Sequence, residues 1–186
     1  MGFLTRIADA LFEHELDRIS RQTDEKQKRA LRLTADKLKA LPDKQKLQAA
    51  IARAEQRVWD CEDMEAGFAG LSDAQKVVYT INSLDNEVAN GGLCQFLCNS
   101  SRMAAPFVSD SLAAIGALEH KALFDGFIRQ CGIDLNDLSS FDCDDEDAFV
   151  AQCDRFPFDD FDDALYKLKP LKLYLKRYVK AHLDAL

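Results

Sequence analysis

The chain has 186 residues, 47% of them hydrophobic and 30% charged, and its 32 Asp and Glu outnumber 24 Lys and Arg for a formal net charge of −8. That balance suits one folded domain with a sizeable core and excludes a disordered polyelectrolyte, which would need low hydrophobicity as well as high charge. No stretch approaches the roughly 18 uninterrupted apolar residues that span a bilayer, and Arg6, Asp9, Glu13 and Glu15 interrupt any signal-peptide centre, so the reading is a cytoplasmic protein with no membrane partner.

Eight glycines, four prolines and few β-branched residues favour helix over sheet. Phe3, Leu4, Ile7, Leu11, Phe12, Leu16 and Ile19 fall on one side of a helix from about 3 to 20. Leu31, Leu38 and Leu41 suggest a second helix stopped by Pro42, and Leu47, Ile51, Ala54 and Val58 a third. These segments make up a basic-leaning helical extension, residues 1–58, ahead of an acidic helical domain, residues 59–186.

From residue 72 onward the pattern predicts helices over 73–90, 93–100, 106–119, 120–131, 144–154, 159–168 and 170–184. Ser72 is placed to cap the first, whose buried stripe is Val77, Val78, Ile81, Leu84 and Val88. Gly91 suits the left-handed residue that ends it, and Pro106 and Pro170 suit first helical turns. Gly116 and Gly132 mark tight packing or termination, and His120 falls at a helix boundary, in a capping or surface role. The amides Asn90, Gln95 and Asn99 sit around the junction near Gly91. They can satisfy orphan backbone groups there, or they can line a pocket for a small ligand or a reaction.

The run around that junction resembles a known family. Glu87, Val88, Asn90, Gly91, Gly92, Gln95, Phe96 and Asn99 follow the Glu-Val-x-Asn-Gly-Gly-x-x-Gln-Phe-x-x-Asn signature of the nineteen-kilodalton DNA-mimic protein family. Ala114-Ile115-Gly116-Ala117, and the stretch from Phe158 to Tyr166 leading into Tyr178-Val179-Lys180-Ala181-His182, look like the same family, so the likeness spans roughly residues 60 to 186. The resemblance implies a small all-α fold, a homodimer, and a non-enzymatic role in which an acidic surface occupies a basic DNA-binding protein such as a helix-turn-helix regulator. The family's short motif does not include the acids that would do this.

Charge density nominates them. Residues 59–165 hold 5 Lys and Arg against 22 Asp and Glu, and from 134 to 163 twelve acids face one base, Arg155. Such a field repels nucleic acid and attracts basic surfaces, so the candidate partner-binding residues are Asp142, Asp144, Asp145, Glu146, Asp147, Asp159, Asp160, Asp162 and Asp163, with no direct nucleic-acid partner. A solvated, solubilising surface is the plain alternative. Phe141, Phe149, Val150, Phe156, Phe158 and Phe161 anchor this stretch, and a helix from Asp144, capped by Asp144 itself, would turn Phe149 and Val150 inward.

Other chemistry is poorly served. An EF-hand register starting at Asp142 puts Asp147 where Gly is needed and Cys153 where Glu is needed. His14, His120 and His182 lack ligand spacing, and the six cysteines include no Cys-x-x-Cys, so the expectation is buried free thiols, no metal and no cofactor. No nucleophile with a histidine base and no phosphate-binding glycine loop is apparent, and no catalytic residue is nominated.

Overall fold

The structure, a computed structural model, describes residues 31 and 33–186, so the expected helix over 3–20 lies outside the described residues. The elements in order are α1 (Ala35–Lys39), α2 (Asp43–Trp59), α3 (Met64–Ala69), α4 (Asp73–Cys98), a 3₁₀ helix (Ser100–Phe107), α5 (Val108–Ala114) and α6 (Leu118–Cys131). A 3₁₀ turn (Ser139–Phe141), α7 (Glu146–Cys153), α8 (Phe158–Tyr166), α9 (Leu171–Ala181) and a last 3₁₀ turn (Leu183–Ala185) follow. Among the described residues no strand occurs, and the fold is all-α.

Helix α4 is the axis of the molecule, and α2, α5, α7, α8, α9 and the 3₁₀ helix at 100–107 all pack on it. Ser72 starts it with a capping box: its Oγ accepts from the Gln75 N–H at 3.2 Å, and Gln75 Oε1 accepts from the Ser72 N–H at 3.1 Å. Val78, Ile81, Leu84 and Val88 are buried as the periodicity predicts, while Val77 is half-buried at the edge of the core. Leu47, Ala50, Ala54 and Val58 of α2 belong to the same core, and the boundary expected at residue 58 falls in the last turn of that helix.

Three elements depart from expectation for identifiable reasons. The helix expected over 106–119 is broken: Gly116 at φ 77° ends α5, with the Ala117 N–H bonding back to the Leu112 carbonyl at 2.8 Å, and α6 begins afresh at Leu118. His120 therefore lies within the first turn of α6 and is 2% exposed, not at the surface. In α7 the cap is Asp145, whose carboxylate accepts from the Ala148 N–H at 2.8 Å, and not Asp144. The inward side of α7 is Phe149, Gln152 and Cys153, at helical spacing, which leaves Val150 51% exposed instead of buried. Helix α3 was not anticipated at all.

The fourth departure is the junction. Helical pairing runs on from 73 to 98, but Gly91 (φ −165°, ψ 24°) and Gly92 (φ 81°, ψ 178°) kink α4 into two halves. The left-handed residue is Gly92, not Gly91. Its conformation is open essentially to glycine alone, and a Cβ built there would stand 2.2 Å from Oδ2 of Asp162 on α8. At Gly91 the extended φ suits any residue, and a Cβ would meet the Gln95 side chain, which would have to shift from its place on Glu87. Gly92→Ala should therefore lower stability by about 2 kcal/mol or more. For a chain of this size that is a fall in Tm of roughly 4 °C or more by calorimetry, and an unshifted melt would show that the kink does not depend on Gly92.

Candidate functional site

The kink brings the polar residues of the motif onto one carboxylate. Gln95 Nε2 and Asn99 Nδ2 donate to Oε2 of Glu87 at 2.6 and 2.9 Å, and Ser101 Oγ donates to Oε1 at 2.9 Å. Glu87 lies in the first half of α4, Gln95 in the second, Asn99 at its C-cap and Ser101 in the 3₁₀ helix that follows. One side chain thus ties three consecutive pieces of backbone together. Gln95 and Asn99 bond neither to backbone ends nor into an open cleft, the two arrangements expected of them. Among the described residues the Asn90 side chain makes no hydrogen bond and is exposed. Phe96, fully buried, fixes the second half in the core, a burial worth about 1.5–3 kcal/mol. Ser101, the third donor, was missed because nothing in a lone serine beyond the motif signals a distant carboxylate.

Helix α8 holds the same kink from the other side. Asp162 Oδ1 accepts from the Leu93 N–H at 3.0 Å, capping the second half of α4 from 69 residues away, and the Tyr166 hydroxyl donates to the Val88 carbonyl at 2.8 Å, in the last turn before the kink. Four residues apart, Asp162 and Tyr166 share one face of α8. Burial pushes the Asp162 carboxyl up to about 6, helped by the nearby charges of Asp159 and Asp163, although the Leu93 N–H favours the charged form. Asp162 therefore differs from the other nominated acids: it is half-buried and engaged inside the fold.

The remaining acids face water. Asp142, Asp144, Asp145, Glu146, Asp147, Asp159, Asp160 and Asp163 are all exposed, on the approach to α7, on its first turn and on α8. Asp145 is engaged as the α7 cap, and Asp142 is paired with Arg102. Asp159 lies close enough to Cys153 and Asp162 to push both upward, which places the start of α8 beside the end of α7. Arg155, the one base in this stretch, lies 5.0 Å over the Phe156 ring.

A family model described as DMP19-like protein matches residues 69–182. The chain belongs to the DMP19-like family. No curated protein and no solved structure matches it. The match takes in α4 from its cap onward, the Glu87 cluster, the kink and the acidic helices, so the site elements of this DMP19-like chain are those of the family region.

Two further groupings complete the polar chemistry. A cleft of about 280 Å³ is lined by Asp85, Val88, His120, Tyr166, Lys169 and Pro170, among others, but not by Asn90, Gln95 or Asn99. The His120 Nδ1 is buried there without a partner, and burial lowers the His120 pKa and raises that of Asp85. The six cysteines are free; Cys61 is exposed rather than buried, Cys94 is buried, and the others are half-buried. Cys94 and Cys98 share a helical face as the spacing predicts, with sulfurs 4.0 Å apart. Cys143 also reaches this face, a meeting that no sequence spacing announced. Among the described residues no group of three or more Cys, His, Asp or Glu is arranged to hold a metal ion, and no helix is long and apolar enough to cross a membrane.

Removing the Glu87 carboxylate strands three donors at once, and the Ser101 hydroxyl among them is on a buried residue. Glu87→Ala should destabilise by about 2–3 kcal/mol, more than Gln95→Ala, which deletes one donor; equal denaturation midpoints for the two variants would deny the cluster its central carboxylate. Asp162 makes a separate, pH-dependent prediction. The folded chain holds its proton up to about pH 6, whereas an unfolded Asp releases it near pH 4, so between these values the folded state binds more protons. The Asp162 contribution to stability therefore falls as pH rises from about 4 to 6. In Asp162→Asn this component should vanish, and the difference in Tm between variant and parent should move in the variant's favour on going from pH 4 to pH 7.

Proposed function

We propose that this DMP19-like protein is a non-enzymatic interaction protein whose exposed carboxylates on the α7 approach, α7 and α8 occupy the DNA-reading surface of a basic DNA-binding protein, such as a helix-turn-helix regulator. One observation carries the reading: Asp144, Glu146, Asp147, Asp159, Asp160 and Asp163 are exposed and attached to helices anchored in the core, with a single base in the same stretch of chain. Duplex DNA presents one negative charge per about 1.7 Å of axis, and carboxylates fixed on rigid helices are the protein groups that come nearest to such an array. Family membership supports the reading, and so does the internal use of the motif amides, which are taken up by Glu87. A homodimer belongs to the same proposal, and sedimentation velocity checks it.

A second reading, a small-ligand binder, draws on one observation, the presence of His120, whose buried Nδ1 has no partner, among the residues lining the Asp85 cleft. It is not served by the pocket expected around Asn90, Gln95 and Asn99.

The test neutralises carboxylates that have no structural task. Asp144, Asp147, Asp160 and Asp163 changed together to Asn keep the Asp145 cap and the Asp162 contact in place. A DNA-binding partner captured by the parent at low ionic strength should be released by salt and by competing duplex DNA, and its affinity for the four-Asn variant should fall by about tenfold or more. A partner that binds the variant at full strength, or that holds DNA and this protein together, would leave the acids as a solubilising surface.

A further inference from the structure

Four thiols gather where the end of α4 faces α7 and the segment leading into it, with Cys153 of α7 against Cys94. Cys98 stands between Cys94, 4.0 Å away, and Cys143, 3.5 Å away. Cys98 and Cys143 are both half-buried and so open to a small solute, while Cys94 is buried behind them. Cys143 lies outside any helix, between the 3₁₀ turn at 139–141 and the start of α7.

We propose that Cys98 and Cys143 form a peroxide-responsive modification site, in which Cys98 is oxidised to a sulfenic acid and Cys143 resolves it as an intramolecular disulfide.

The neighbours decide which thiol reacts. The Cys94 thiol is hydrogen-bonded to Cys98 and favours its thiolate, and the Arg102 guanidinium adds to this, so Cys98 is held below the usual thiol range, at about 7, while burial pushes Cys143 up to about 11. Burial and the Asp142 charge oppose the lowering at Cys98, and the same charge adds to the raising at Cys143, although the Asp142 carboxylate is itself paired with Arg102. The Cys98 thiolate attacks one oxygen of a hydroperoxide; the O–O bond breaks, and the departing oxygen takes a proton and leaves as water, or as an alcohol from an organic peroxide. The Cys143 sulfur, giving up its proton, then attacks the Cys98 sulfur. The S–O bond breaks, the oxygen leaves as a second water, and two thiols have lost two electrons to the peroxide.

Geometry also selects the pair. Cys94 and Cys98 are four residues apart on one helix, which holds their Cβ atoms about 5–6 Å apart, beyond the roughly 3.5–4.5 Å that a disulfide allows. Cys143 is on a separate, non-helical segment, and closing 3.5 Å to the ordinary S–S bond of about 2.05 Å asks for a movement of about 1.5 Å. The bond would fasten the residues bearing Asp142, Asp144 and Asp145 to the end of α4. The chemistry stands whether or not those acids bind a partner.

The experiment uses the full chain with Cys61→Ser, which removes the exposed thiol that would otherwise link two molecules. Reduced protein is treated with a small excess of hydrogen peroxide, free thiols are blocked with iodoacetamide, and the non-reduced digest is read by mass spectrometry. The expected product is about 2 Da lighter before blocking and contains a Cys98–Cys143 cross-link that dithiothreitol reverses. The cross-link should persist in Cys153→Ser and disappear in Cys143→Ser, where dimedone should trap the Cys98 sulfenic acid instead. Alkylation of both Cys98 and Cys143 after the peroxide has been consumed, a link between other cysteines, or oxidation of Cys98 past the sulfenic acid without a link would each overturn the proposal.

Discussion

A helix interrupted by two glycines needs partners for the backbone groups that its kink disturbs, and here both come from one distant helix. Asp162 and Tyr166, one turn apart on α8, bond to the Leu93 N–H and the Val88 carbonyl on either side of the break in α4. Gly92 is the complement of this arrangement, since only the absence of a Cβ lets the Asp162 carboxylate lie against the backbone. Glu87 then gathers Gln95, Asn99 and Ser101, so the kink is braced along its own chain as well as from outside. Most of the other helices pack on an axis whose shape these few polar contacts define.

That arrangement gives the motif a physical meaning. Glu87, Gln95 and Asn99 are spaced eight and four residues apart because the carboxylate must reach over a break and meet two donors on successive turns of the continuing helix. Polar residues in such a pattern invite a reading as a binding pocket, but Gln95 and Asn99 are turned onto Glu87 within the fold. The proposed recognition rests instead on the outside of α7 and α8, where the carboxylates are exposed.

Much of this was legible from residue order alone. The Ser72 cap, the apolar stripe of α4, the helical fold and the presence of a junction at Gly91 and Gly92 follow from local periodicity and turn chemistry, which act over a few residues. The choice between the two glycines was not legible, because it depends on Asp162, 70 residues beyond Gly92. The same holds for Asp162 among its neighbours: Asp159, Asp160 and Asp163 look identical to it in sequence, and only the docking of α8 turns one of the four inward. His120 and Val150 were misplaced because packing, not local pattern, decides their surroundings: α6 starts at Leu118 and draws His120 into its buried first turn, and α7 docks by Phe149, Gln152 and Cys153, which leaves Val150 outside.

The order in which the chain can be assembled follows from the brace on α4. Its second half, Leu93 to Cys98, is too short to persist as a helix by itself, and its capping carboxylate is separated from it by most of the remaining sequence. Loop closure over that distance precedes any reward from the contact, so the first half of α4 can form early on local signals while the second half waits for α8. During synthesis, the buried ring of Phe96 would stay without its final surroundings until Tyr166 has left the ribosome. The strongest sequence signature of the chain thus marks a segment that folds late.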